Sequence, residues 1–499
     1  MAPMLPIGPW LPDQAPIDHP GLLTATNIIP IAGGYGPFPS LSSFSGSLSS
    51  YCRGAISGRD KTGVTYSCAG DATKLYLRKT GLLVNVSKAG GYHNTATNGW
   101  EIIQLGNVLF AVNYDDQIQT FDLGTSALFA DMGVATAPRA RHIALVRDFL
   151  VAGYCYDPNG GPVGLVPNRV WWSGRGKPTT WPLYGTPTAI LEQSDYQDLD
   201  GGEIQHVIAM AEIGLIVMDR AVWRMDYVGG ETFFNFSPIT REEGSLVSGS
   251  VVTRGKRTVF WSEDGWKMTD GVEVRSIGDE RIDRTFAAKF DIANRHRMIG
   301  VSHPRRKLMM WIYPGTGNVG GLPNRALFYQ YELNQWSEGE FDCEFLVQAL
   351  PPATSMDDYP PPNNLDTPDA PFTTGSLDDG AFMGFPWDLG GFSSQHSLGI
   401  FNGPNLSATL ETGDRQIYPG RRATVRKVRV VGDTNQILFQ MAARANQYDA
   451  VAYGDLSYPD SNGELGLRSN GRYHRAKMFA ANFTTLQGFD VEVQIEGSR

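Results

Sequence analysis

The run Asp148-Phe-Leu-Val-Ala-Gly153 is short, apolar and closed by a glycine, and similar runs recur along the chain. They are Lys74–Lys79 (KLYLRK), Asn107–Val112 (NVLFAV), Gly214–Asp219 (GLIVMD), Thr258–Glu263 (TVFWSE) and Leu308–Tyr313 (LMMWIY). Alternating with Gly, Asn and Asp turns, these β-branched and aromatic runs read as strands and hairpins. Their centres, Leu75, Phe110, Leu150, Ile216, Phe260 and Met310, are about 35 to 50 residues apart. One wider gap, of roughly 65, spans the Pro- and Gly-rich segments 157–168 and 185–203. Five of the six runs lead through a turn to an aromatic-centred strand. These are Ile118–Leu123 around Phe121, Arg169–Ser173 around Trp171 and Trp172, and Ala221–Tyr227 around Trp223. Trp266 follows the turn at Glu263–Gly265, and Ala326–Tyr331 carries Phe328.

A mostly-strand repeat of roughly 40 to 50 residues is the spacing of propeller blades. One four-stranded sheet cannot bury both faces alone, whereas radial stacking covers them and leaves only short edges. The expected fold class is all-β: a β-propeller of about six blades over 46–350, with an extended N-terminal arm and an additional C-terminal antiparallel β domain. An irregular array of β-sandwiches is the competing account of the spacing. A helix is expected before the last repeat, capped by Asp279, with Ile282, Phe286 and Phe290 on one face.

The flanks differ from this middle. Residues 1–45 carry nine prolines, which exclude a regular helix or a central strand. Trp10, Leu22, Ile28, Tyr35 and Phe38 are too apolar for a solvated tail, so the arm should pack on this chain or a neighbour. Residues 351–400 read as an acidic Pro/Gly-rich insertion whose aromatics, among them Trp387 and Phe392, should dock its second half. Residues 401–499 read as a sandwich-like platform, with strands at Ser407–Glu411, Ala423–Val431, Ile437–Ala443, Arg472–Phe479 and Phe489–Ile495. Turns are expected at Gly432-Asp433, Ser461-Asn-Gly463 and Ser469-Asn-Gly471.

Composition narrows the function classes. Of 499 residues 57 are Gly and 31 Pro, and only 19% are charged, which excludes coiled coils and long helical bundles. With 11% aromatics the chain is not disordered throughout. A net charge of -10 excludes a generally basic nucleic-acid-binding surface. No secretory leader or apolar span of membrane length is visible. Four cysteines without a CxxC pair read as buried free thiols in a reducing compartment.

The charge is uneven. No Lys or Arg occurs between Arg325 and Arg415, a gap of 89 residues holding 14 acids. Arg415, Arg421, Arg422, Arg426, Lys427 and Arg429 then follow with no acid before Asp433. Such a switch lets a basic strand of one subunit meet an acidic loop of the next, or grip another protein, and sets register more than affinity.

No catalytic constellation emerges. The eight histidines form no HxH or HExxH spacing, and neither GxxxxGK[ST] nor GxSxG occurs. Gly33-Gly-Tyr-Gly36 runs into Pro37 rather than a helix. Ser262-Glu-Asp-Gly-Trp266 resembles a sialidase Asp-box, but its Trp follows the Gly too soon, and a hairpin with an aromatic packed beneath it is the plainer reading. Adjacent acids such as Asp115-Asp116 do not predict two carboxylates facing across a cleft. The chain is therefore read as no enzyme, with no cofactor and no metal.

Several phrases at the two ends do carry a resemblance. Trp10-Leu-Pro-Asp-Gln14, Ala25-Thr-Asn-Ile-Ile-Pro30 and Gly33-Gly-Tyr-Gly-Pro-Phe-Pro39 resemble the start of bacteriophage tail proteins of the nozzle, or tail tubular protein B, group of short-tailed phages. Val451-Ala-Tyr-Gly454, Arg468-Ser-Asn-Gly-Arg-Tyr-His-Arg475 and Gly488-Phe-Asp-Val491 resemble the ends of those proteins, and the layout is similar along the full length. The resemblance implies a propeller-bearing virion tail subunit, assembled in the host cytoplasm. Six copies would form a tube beneath the portal and adaptor rings, with tail fibre, spike or needle proteins as further partners. The tube retains packaged DNA and conducts it into the host without sequence-specific binding, and no active-site motif is implied.

A conduit should not grip phosphates, since each neutralised phosphate adds affinity through counterion release. The acid-rich stretch is thus expected in part to line the bore, through Asp357, Asp358, Asp378 and Asp379. Arg421, Arg422, Arg426, Lys427 and Arg429 are expected at a subunit or partner interface. The alternative functions are a glycan-recognising receptor-binding tail protein or adhesin and, more remotely, a carbohydrate-active enzyme.

Overall fold

The computed structural model describes residues 4–79, 82–95, 97–160, 164–230, 232–350 and 387–495. Within them, seven four-stranded antiparallel units follow one another. Their first strands are Gly54–Arg59, Glu101–Leu105, Arg139–Val146, Ile204–Met210, Val252–Arg254, Ile299–Ser302 and Phe345–Ala349. Neighbouring first strands pack together, and the seventh packs against the first, closing a ring. The chain is an all-β propeller, numbered here as blades 1 to 7.

The blade count is seven, not about six. Blade 7 consists of Phe345–Ala349, Asp388–Phe392, Ser397–Asn405 and, as its outer strand, Pro39–Ser47 from the amino end. Asp388–Phe392 is interrupted by two adjacent glycines and Pro39–Ser47 is mostly serine, so neither forms an apolar run and the periodicity passes over them. Three expected boundaries shift as a result. The arm's end at 45 falls inside Pro39–Ser47. The 351–400 segment returns to the propeller at Asp388, and its end at 400 falls inside Ser397–Asn405. Phe392 is buried there as expected of a docking aromatic.

The repeat itself has a simple basis. In blades 2 to 6 each apolar run is the second strand, buried on both faces between neighbouring blades, and the aromatic-centred strand is the third. In blade 1, Lys74–Lys79 contains the third strand, Leu75–Arg78, and the second is Thr65–Gly70. Trp266 pairs with Trp261 across a tight hairpin and packs against Trp311, ring centres 4.6 Å apart and planes tilted by 53°, as the plainer reading of that motif requires.

The expected helix forms as Asp283–Lys289, with Ile282, Phe286 and Phe290 buried on one side. Asp279 does not cap it. The carboxylate of Asp13 does, accepting the Arg284 N–H at 2.7 Å and the Thr285 N–H at 2.9 Å. The arm wins because its backbone docks here, with the Asp13 N–H bonded to the Arg281 carbonyl.

The outer strand of blade 6, Gln335–Glu340, continues into a wider sheet. Beside it lie Leu22–Thr26, Ala408–Thr412, Tyr473–Ala480 and Ile437–Arg444, in that order. Proline-free Leu22–Thr26 is thus an interior strand, contrary to the expectation for the arm. A second sheet orders Ile28–Ile31, Gly34–Pro37, Leu486–Ile495, Ala423–Gly432 and Glu464–Gly471, with Met4–Pro6 alongside Leu486–Ile495. The two sheets share one core, in which Phe439 and Phe489 lie 5.7 Å apart. That core runs on into the Trp266, Trp311 and Trp336 cluster of blades 5 and 6. Platform and propeller are therefore continuous in both hydrogen bonding and apolar packing. Ser469-Asn-Gly471, read as a turn, ends the strand Glu464–Gly471 instead. All four cysteines are buried free thiols. No helix among the described residues is long and apolar enough to cross a membrane.

Candidate functional site

The first strands of a propeller are edge strands, and the side chains beside them meet at the axis. Here residues in or next to all seven line a cavity of about 700 Å³. Arg53, Arg141 and Arg295 face it with Glu101, Glu203 and three histidines, His142, His206 and His296. Trp387 also reaches it, from the end of the insertion.

On one wall, three consecutive blades bring polar side chains together. Glu101 opens the first strand of blade 2, His142 lies on that of blade 3, and His206 on that of blade 4. Glu101 Oε2 is 2.9 Å from His142 Nδ1 and 4.0 Å from His206 Nδ1. The two imidazoles meet edge to face, with ring centres 5.2 Å apart. Gly153 permits this closeness, since it pairs with His142 and a Cβ there would lie 2.4 Å from the Val207 side chain of blade 4.

Burial sets the electrostatics. It pushes the Glu101 carboxyl up to about 7, against the pull of His206 and the Ile143 N–H. It lowers His142 to about 3, assisted by Arg141, and lowers His206 against the attraction of Glu101. Both imidazoles are accordingly neutral near neutral pH, and the Glu101–His142 contact is a hydrogen bond rather than an ion pair. His142 Nε2 and His206 Nδ1 are buried with no hydrogen-bond partner among the described residues. Two neutral imidazoles and one carboxyl on a polar wall form a donor set for a cation.

These three residues escape a search for short motifs, being 41 and 64 positions apart. One signal could have found them. They lie 9, 8 and 10 residues before the run centres Phe110, Leu150 and Ile216, at equivalent points of successive repeats.

The residues singled out from sequence lie elsewhere. Asp357, Asp358, Asp378 and Asp379 fall outside the described residues. The acid-rich stretch around them is less free than its composition suggests. Eight of its acids are described, and six of those pair with cations of the same chain: Glu332 with Lys307, Glu338 with Lys289, Glu340 with Arg325, Asp388 with Arg305, and Glu411 and Asp414 with Arg475. Glu344 faces His396 at 2.7 Å. These seven are turned toward partners that the tertiary fold supplies from outside the 89-residue gap or, for Glu344, from a histidine.

The basic strand is the middle of three, Ala423–Gly432 between Glu464–Gly471 and Leu486–Ile495. Ala423, Val425 and Val428 turn into the core, while Arg421, Arg426, Lys427 and Arg429 are exposed and Arg422 is half-buried. Lys427 pairs with Glu464 at 2.8 Å, a bond that raises its ammonium pKa. Arg429 stands in register between Glu464 and Asp490. The stripe is thus solvent-facing, with acidic neighbours on both flanking strands.

No protein-family profile matches this chain, and no curated protein does. Among solved structures it is similar to the computationally designed Ika8 protein, at 9% identity over 79% of this chain and 99% of that one, TM-score 0.37. It is also similar to BamB from Moraxella catarrhalis, at 11% identity over 75% and 93%, TM-score 0.36. A third is the Neurospora crassa Pan2 WD40 domain, at 6% identity over 61% and 88%, TM-score 0.36. At these scores the propeller assignment rests on the seven sheets themselves.

Proposed function

We propose that this chain is a structural subunit of a short-tailed bacteriophage tail, a nozzle-type component that assembles as a ring around the DNA conduit. One observation carries the reading. The phrases that resemble nozzle proteins lie at opposite ends of the sequence, yet they build a single body, the platform. Trp10 donates its indole N–H to the Leu23 carbonyl, Ala25 pairs with Leu410, and Tyr35 pairs with Leu486. Asn27 bonds to the Ser407 carbonyl and the Glu340 N–H. From the other end, Tyr453 donates to Glu411 and Arg475 reaches Asp414. That the two sets of phrases largely share this platform is what supports the reading.

In this reading the exposed cations of Ala423–Gly432 meet the next subunit or a tail partner. Tyr448, 86% exposed, and Tyr458, 66% exposed, add apolar surface on the same platform. Such side chains suit the core of a protein interface, where aromatics and Arg are enriched. Six copies surround the bore. The adaptor lies above, fibre, spike or needle proteins lie below, and DNA passes without base recognition. The repulsive lining comes from Asp357, Asp358, Asp378 and Asp379. The protein resides in the virion tail and performs no catalysis.

Electron microscopy of the purified chain, or of particles containing it, tests the reading. Rings of six with an axial opening wide enough for duplex DNA are expected. A chain that stays monomeric at assembly concentrations and gives a glycan-array signal would overturn it in favour of receptor binding.

A further inference from the structure

We propose that Glu101, His142 and His206 form a binding site for a divalent transition metal, with zinc the best fit, that clips blades 2, 3 and 4 together at the propeller axis. The donor set is two imidazoles and a carboxylate, one ligand atom from each, all within 4.8 Å of one another. Tetrahedral zinc with bonds of about 2.0–2.1 Å places its ligand atoms roughly 3.4 Å apart. The separations of 2.9 and 4.0 Å from Glu101 Oε2 straddle that value, so small side-chain rotations admit the ion.

A second, independent feature points the same way. His206 Nδ1, which faces Glu101 at 4.0 Å, is buried without a hydrogen-bond partner among the described residues. Buried imidazole nitrogens are normally satisfied, and a metal bond satisfies one as fully as a hydrogen bond. All three residues line the axial cavity, from which water can supply a fourth ligand.

Nearby cations do not bar the ion. The Arg141 guanidinium lies 3.7 Å from the centre of the Tyr154 ring, and Arg53 donates to the Asn94 and Thr95 carbonyls, so each has a partner of its own. Arg295 enters the cavity from the blade 6 side. Imidazole nitrogens select against magnesium and calcium, which require oxygen ligands, and suit zinc, copper, nickel and iron; three protein ligands with one open position match the tetrahedral preference of zinc. The energetic logic is that of a cross-link, since one ion would tie the first strands of three blades at the axis, adding to the hydrogen bonds that already join these blades.

The test is calorimetric titration of zinc chloride into the chelator-treated full chain, with magnesium chloride as control. X-ray absorption at the zinc edge is then measured on the loaded protein. One zinc per chain is expected, with a shell of nitrogen and oxygen that includes two imidazoles, and no response to magnesium. The near-isosteric E101Q and H206Q should each bind at least about tenfold more weakly. Chelator should lower the thermal midpoint of the wild type but not that of H142Q/H206Q. Absence of saturable binding, a sulfur-containing shell from the cysteines, or affinity unchanged in E101Q and H206Q would overturn the site. If a variant fails to fold, the wild-type absorption spectrum decides alone.

Discussion

Asp13 Oδ1 accepts both the backbone N–H of Thr285, at 2.9 Å, and its hydroxyl, at 2.6 Å. A residue near the amino end thus caps a helix more than half the chain away, and the cap doubles as the arm's anchor. Carboxylates at helix starts satisfy orphan N–H groups and oppose the helix dipole. D13A is expected to cost about 1 kcal/mol, with D13N costing less. Urea midpoints measure the loss. Amide exchange over residues 4–26 should accelerate in D13A, and unchanged protection there would show that the arm is held by its strands alone.

Asp414 is almost wholly buried and holds two guanidinium groups, those of Arg444 and Arg475, the latter through bonds of 3.1 and 3.0 Å. Removing the shared anion leaves Arg444 with only the Gln447 and Asp449 carbonyls and Arg475 with only the longer contact to Glu411 among the described residues. D414A should therefore destabilise the platform by roughly 3–5 kcal/mol. D414A combined with R444M and R475M should recover much of that loss in equilibrium unfolding. A mild effect of D414A alone would mean that water reaches the cluster.

His303 gives a pH dependence of definite sign. Its Nδ1 accepts the backbone N–H groups of Arg305 and Arg306, at 3.2 and 3.3 Å, so the ring is held neutral. Burial, then Arg306, lowers its pKa to about 4. Between about 6.5 and 4 the unfolded chain binds the extra proton and the folded chain does not, so stability falls as pH falls through that window and levels below it. Its full extent is up to about 3 kcal/mol. Denaturation of wild type and H303N at pH 7 and 4.5 checks this, and the gap between the two pH values should narrow in the variant.

Charge reversal separates the proposed interface from the proposed bore. R421E, R426E and R429E together should abolish ring assembly while leaving the circular dichroism of the monomer unchanged, because those side chains are exposed. Reversing Asp357, Asp358, Asp378 and Asp379 to Lys should leave rings intact and slow genome release, with release more salt-dependent than in wild type. Unchanged release kinetics would remove those four residues from the bore.

Much of this architecture was legible because its decisive interactions are local. A strand and its hairpin partner are close in sequence, so the buried second strand and aromatic third strand of blades 2 to 6 repeat visibly. Five platform strands likewise fall within a few residues of their expected positions, from Ala408–Thr412 to Leu486–Ile495. Blade 7 was hidden because Pro39–Ser47 and Ser397–Asn405 are brought together by ring closure, and neither resembles a blade by itself. Most of the described acids near the 89-residue gap found cations that no local charge count pairs with them.

The sequence alone determined the class of fold, since alternation of short apolar runs and turns admits little besides stacked small sheets. It also determined where charge accumulates along the chain. Only the tertiary structure decided which charges are free, how many blades close the ring, and that Glu101, His142 and His206 meet. The physical reason is that those outcomes depend on edges of separate sheets converging on one axis, and no pattern within a single strand encodes its distance from the strands of other blades.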